Sequence, residues 1–187
     1  MMHKRGSVSL IPLVLAALAA LSFSFCTKPY RDQVREREFS AIETYLRSQK
    51  LTVWKYDDFR YAVVEPGDSL NVQNGDALEL RYSLFALSNS KLALLATNDT
   101  ATARTYQMPP QAFDSSLLRV EIGKTPLIKG LEVGIKNYAH LNGRAWLGIP
   151  SDLAYGRTRF GNVPSNTPIL CLINVVSATS ERVRSEE

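Results

Sequence analysis

The sequence predicts an α+β fold: alternating strands and one short helix, with a separate amphipathic helix ahead of them. Three observations carry this. Between Leu127 and Tyr138 the apolar residues Leu131, Ile135 and Tyr138 follow a helical period that a strand cannot share. Ala77 to Phe85 and Arg144 to Ile149 instead alternate with period two, and the second run stops at Pro150. Finally, Val34, Phe39, Ile42 and Leu46 form one stripe within residues 32–50, and Arg35, Glu36, Arg37, Glu38, Glu43 and Arg47 fill the remaining faces.

Each element has its own local reason. The central helix is short, about two turns, so its stability must come from packing an apolar face on other elements. Asn142-Gly143 marks the turn that follows it. Upstream, Phe59 to Val64 precedes Pro66-Gly67-Asp68, and Asn74-Gly75-Asp76 introduces the strand that carries Tyr82. Residues 86–112 are rich in Ser, Asn, Thr and Ala and read as an insertion, with an extra hairpin expected through Lys91 to Ala96 and Arg104 to Met108. An insertion of that size is tolerated because closure entropy grows slowly with length. Ile169 to Val176, after Pro168, reads as a buried closing strand, and residues 179–187 as a flexible tail.

The 187 residues leave room for one domain, at 51–178, besides a leader, a helix and a tail. Apolar residues make up 45% and charged residues 21%, so a packed core is expected. The formal charge of +4 includes Lys4 and Arg5; without them 20 basic residues face 18 acidic ones, too small an excess for a nucleic-acid footprint. His3 and His140 have no cysteine or carboxylate partners at ligand spacing, so no metal site is expected. Cys171 lies in the apolar run Ile169 to Ile173 and has no second cysteine in the domain, which makes it a small core residue.

Residues 1–25 have the anatomy of a secretory signal, with a basic start and an apolar run from Leu10 to Leu21 that is short for a membrane span. Cys26, directly after Phe23-Ser24-Phe25, resembles the cysteine of a bacterial lipobox, which becomes lipid-modified and begins the mature chain. Residues 26–31 would then be a tether from a membrane anchor. The expected location is the cell envelope, at the outer membrane, facing the periplasm or the cell surface. Such anchoring is durable when more than one acyl chain is attached.

Five motifs occur in order: Phe113-Asp114-Ser115-Ser116; Leu127-Ile128 before Gly130; Gly143 to Pro150; Asp152-Leu153-Ala154-Tyr155-Gly156; and Val163-Pro164. Together they make residues 60–177 similar to the FKBP-type peptidyl-prolyl cis-trans isomerases, and to lipoprotein-like bacterial members of that family. The resemblance implies an antiparallel half-barrel sheet wrapped around the short helix. It also implies a peptide pocket, with Tyr82, Phe113, Asp114, Ile128 and Tyr155 in catalytic positions. Leu118, Leu127, Leu131, Phe160, Val163 and Cys171 would contact substrate. In that picture Ile128 offers its backbone N–H and Tyr155 its hydroxyl to carbonyls of the bound chain, and Asp114 stands at the rim. Leu131 replaces a tryptophan common in the family and Cys171 a frequent phenylalanine, so the pocket is expected to be apolar but wider.

The activity implied is rotation about Xaa-Pro amides of unfolded or exported polypeptides, which breaks no bond and requires no cofactor. The alternative is a catalytically weak binding or chaperone module of the envelope. The N-terminal helix must dock its stripe either on the sheet or on a second copy of the chain, and a homodimer through it is one expectation.

Overall fold

Every element takes its place from one long strand. In the computed structural model, which describes residues 30–69, 71–138 and 140–179, β4 (Ala77–Ser88) runs for 12 residues. Leu78, Leu80, Tyr82, Leu84 and Ala86 point to one face, and Phe85 and Leu87 to the other. Along one edge it pairs antiparallel with β9 (Ile169–Thr179), from Ala77↔Thr179 to Ala86↔Ile169. The order continues from β9 to β8 (Arg144–Ile149), β2 (Arg60–Glu65) and β1 (Trp54–Lys55). A short pair, β3 (Asp68–Ser69) with β7 (His140–Leu141), joins at the side through a parallel contact of Leu141 with Val175.

The other edge of β4 is shared. Its second half pairs with β5 (Lys91–Thr97) and its first four residues with β6 (Leu118–Glu121). Asn89 and Ser90 turn β4 into β5 with φ of 49° and 59°, the backbone of a tight hairpin turn whose twist matches its strands. Lys91 to Ala96 is thus a strand, but the expected partner at 104–108 is not. Asp99 caps a helix instead, α2 (Thr100–Thr105), by accepting the Thr102 N–H at 2.8 Å. Two effects decide this: β5 takes the open edge of β4, and the aspartate ends the strand by offering a cap.

The concave face holds the main core. Here α3 (Lys129–Tyr138) lays Leu131 and Ile135 against Leu147 and Ile149 of β8 and Ile169, Cys171 and Ile173 of β9. The approach is close because Gly134 faces the sheet: a Cβ there would lie 2.6 Å from Leu147 Cδ1. The sheet curls around this helix as a half-barrel, and the α+β architecture read from the sequence stands. The helix is longer than the two turns expected, and β9 extends to Thr179 rather than Val176.

On the convex face lies the N-terminal helix, α1 (Tyr30–Ser48). Phe39, Ile42 and Leu46 are buried against Ala62, Phe85, Leu87 and Leu170, so the stripe docks on the chain's own sheet. Gly148 leaves room for Ile42, whose Cγ2 lies 2.2 Å from where a Cβ would stand. Glu43 fixes one side through Lys55 Nζ and Arg60 Nε, each at 2.7 Å, and the Arg60 guanidinium lies 3.6 Å from the centre of the Phe39 ring.

The chain divides into Met1–Gln33 and Val34–Glu187, and of the first only the opening turn of α1 is described. The signal segment, Cys26, the start of the tether and residues 180–187 lie outside the described residues. Among the described residues no helix is long and apolar enough to cross a membrane.

Candidate functional site

Most of the side chains expected to contact substrate belong to the apolar core of the concave face. Tyr82, Leu118, Leu127, Ile128, Leu131, Tyr155, Val163 and Cys171 all belong to the same apolar cluster. Tyr82 comes from β4 and Leu118 from β6. Leu127 and Ile128 directly precede α3, and Leu131 lies in its first turn. Tyr155 follows a 3₁₀ turn, Ser151–Leu153, that Pro150 opens. Ile128 stands immediately before α3 and its carbonyl accepts the Leu131 N–H at 2.9 Å. The first amides of a helix lack an intrahelical acceptor, so this boundary turns backbone donors outward.

Burial pushes the Tyr82 and Tyr155 phenols above their ordinary value, and the neighbouring Cys171 thiol adds to the shift for both. The two hydroxyls therefore remain donors at neutral pH. Cys171 has no exposed surface and burial pushes its thiol up to about 12, so it backs the tyrosines as an inert filler.

Over Tyr155 lies Phe160, 62% exposed, its ring stacked at 4.6 Å and 7°. Phe160 and Val163 exchange backbone hydrogen bonds at 3.1 and 2.9 Å, which closes the loop into a tight flap.

Phe113 and Asp114 lie outside that apolar cluster. Phe113 is half-buried and belongs to neither apolar cluster. Asp114 is exposed and accepts the Ser116 N–H at 2.8 Å, a local turn whose bonds hold its carboxyl below the usual range. Leu95 of β5 joins the concave cluster. A register shift, in which Leu84 opposes Ala96 and Phe85 opposes Leu94, leaves Leu95 as the extra residue of a bulge and turns it onto the concave face.

Sequence reasoning also missed Asn98. Buried in the gap between β5 and β6, it accepts the Tyr82 N–H at 2.7 Å and donates to the carbonyls of Leu80 and Ser116, each at 2.9 Å. Its side chain thus replaces the strand partner that β4 lacks where Tyr82 stands. Beside it opens a cleft of about 360 Å³, walled by Tyr82, Leu95, Met108, Asp114 and Leu118. Half of that wall comes from the insertion. The only advance signal was composition, which does not encode a bulge.

A half-barrel sheet curled around one short helix on its concave face is the fold of the FKBP-type peptidyl-prolyl isomerases. FkpA from Escherichia coli shares it, with a TM-score of 0.56 and 19% identity over 94% of this chain and 76% of that one. A peptidyl-prolyl cis-trans isomerase from Pseudomonas syringae pv. tomato gives 0.53 and 17%, over 82% of this chain and 99% of that one. The N-terminal domain of FKBP42 from Arabidopsis thaliana gives 0.52 and 15%, over 69% and 93%. No family model matches the sequence, and comparison with the curated proteins found no match. At these identities the likeness carries the fold.

Proposed function

We propose that this chain is a peptidyl-prolyl cis-trans isomerase acting on proline-containing unfolded or exported polypeptides. The observation that supports it most is the half-barrel fold, with Tyr82, Ile128, Leu131 and Tyr155 in the apolar cluster of its concave face and Tyr82 and Tyr155 both beside Cys171. The barrier to rotation about the amide is about 18–20 kcal/mol. Twisting the amide removes its resonance and much of the carbonyl's charge separation, so a water-poor pocket favours the twisted form over the planar one. Leu131 supplies the apolar surface for the prolyl ring. The Ile128 N–H and the Tyr155 hydroxyl orient the flanking carbonyls.

A protease-coupled assay on a Leu-Pro peptide tests this. The parent chain accelerates isomerisation, and Tyr155→Phe lowers kcat/KM about three- to tenfold, the worth of one hydrogen bond. A folded chain whose rate equals that of buffer removes the enzyme reading. The insertion cleft supports a second reading, a binding or chaperone module with little catalysis. Suppressed aggregation of an unfolded protein, with the peptide rate unchanged, would favour it.

The same proposal places the protein at the outer membrane on a lipid carried by Cys26, a reading that rests on the sequence of the leader. Cys26→Ser should move the chain from the membrane fraction to the soluble one. Equal membrane association of both forms would overturn the anchor.

A further inference from the structure

We infer that Glu38 is a positioning residue for the isomerase site: through it, α1 holds the turn that presents Tyr155. This rests on the isomerase reading above. Glu38 is 8% exposed, on the helix face that meets the sheet. Its Oε2 accepts the Ser151 N–H and its Oε1 accepts the Ser151 hydroxyl, both at 2.7 Å. One turn earlier on α1, Arg35 donates to both oxygens of Asp152, from Nη2 at 2.8 Å and from Nε at 3.2 and 3.3 Å. Residues three apart on a helix share a face, so one stripe of α1 grips two consecutive residues of the turn. Asp58 also faces Arg35, at 3.8 Å.

The grip passes onward through the backbone. The Ser151 carbonyl accepts the Ala154 N–H at 3.0 Å and the Gly156 N–H at 2.7 Å, the residues on either side of Tyr155. Shifting Ser151 therefore shifts the ring that closes the pocket.

Docking of α1 does not require this carboxylate, because Phe39, Ile42 and Leu46 already bury the helix. Ionised groups are costly to bury, and an aliphatic residue would have served for adhesion alone. A carboxylate here instead meets the leading amide of the turn and one hydroxyl, a pairing with a single geometry. Pocket groups must be held within about 0.5 Å to act well, which gives that fixed geometry a catalytic meaning.

Three variants of the full chain, assayed well below their unfolding temperatures, test the inference. Glu38→Ala should lower kcat/KM about tenfold, as a small misplacement does. Glu38→Gln can accept from the Ser151 N–H and donate to its hydroxyl, and should recover most of the rate. Ser151→Ala keeps the amide bond and should fall between them; it also decides the matter if Glu38→Ala does not fold. Unchanged kcat/KM in folded Glu38→Ala, or in Ser151→Ala where the first is lost, overturns the inference. If the parent itself shows no activity, the functional reading falls separately. The NMR ring signals of Tyr155 and Phe160 then decide the positioning: displacement in Glu38→Ala with return in Glu38→Gln upholds it, and unmoved signals reject it.

Discussion

Asn98 shows how one side chain can stand in for a strand. At the gap between β5 and β6 the backbone of β4 would lose its partners at Leu80 and Tyr82, and a buried amide without a partner costs about 1–3 kcal/mol. Asn98 meets both, and the Ser116 carbonyl as well, because a carboxamide both accepts and donates. Replacing it with alanine should destabilise the fold by about 2–4 kcal/mol in urea melts, through several buried groups left unmet at once. A cost below about 0.5 kcal/mol, the level of an ordinary surface change, would mean that water or a shifted backbone fills the gap. Nothing in the string Thr97-Asn98-Asp99 distinguishes this asparagine from a loop residue, since its partners lie as far as 18 positions away in either direction.

At the scale of elements, α1 joins the domain through an apolar stripe and two sets of charges that respond oppositely to pH. Burial alone would raise the carboxyl of Glu43, but the bonds from Lys55 and Arg60 outweigh it and hold the group below the usual range. Its contribution is therefore complete above the ordinary carboxylate pKa and is lost as pH falls through the depressed one. Glu38 runs the other way: burial raises its carboxyl despite the bonds from Ser151, so its ionisation weighs against folding at neutral pH and the penalty fades on acidification. Glu43→Gln should cost about 1–2 kcal/mol at pH 7 in urea unfolding, with the gap to the parent closing in acid. A gap that holds constant with pH would show that the pairs with Lys55 and Arg60 contribute nothing.

For the molecule as a whole, legibility followed the range of the interactions. The strands and the central helix were readable because alternation in β4 and β8 and the helical period of α3 are local patterns; the half-barrel followed from the resemblance carried by the motif strings around Phe113, Ile128 and Tyr155. The bulge that turns Leu95 onto the concave face depends on the pairing register of β4 with β5, which no local pattern announces. The clamp of Glu38 on Ser151 spans 113 positions and stayed equally hidden. On the proposed function, the apolar concave face of the half-barrel lowers the barrier to prolyl rotation. The most direct test is NMR exchange between the cis and trans forms of a Leu-Pro peptide, which without a catalyst takes tens of seconds or longer. Addition of the folded chain should bring the exchange to a second or less, with the ring signals of Tyr82 and Tyr155 shifting on titration. Exchange that keeps its uncatalysed rate in the presence of folded protein would contradict the account.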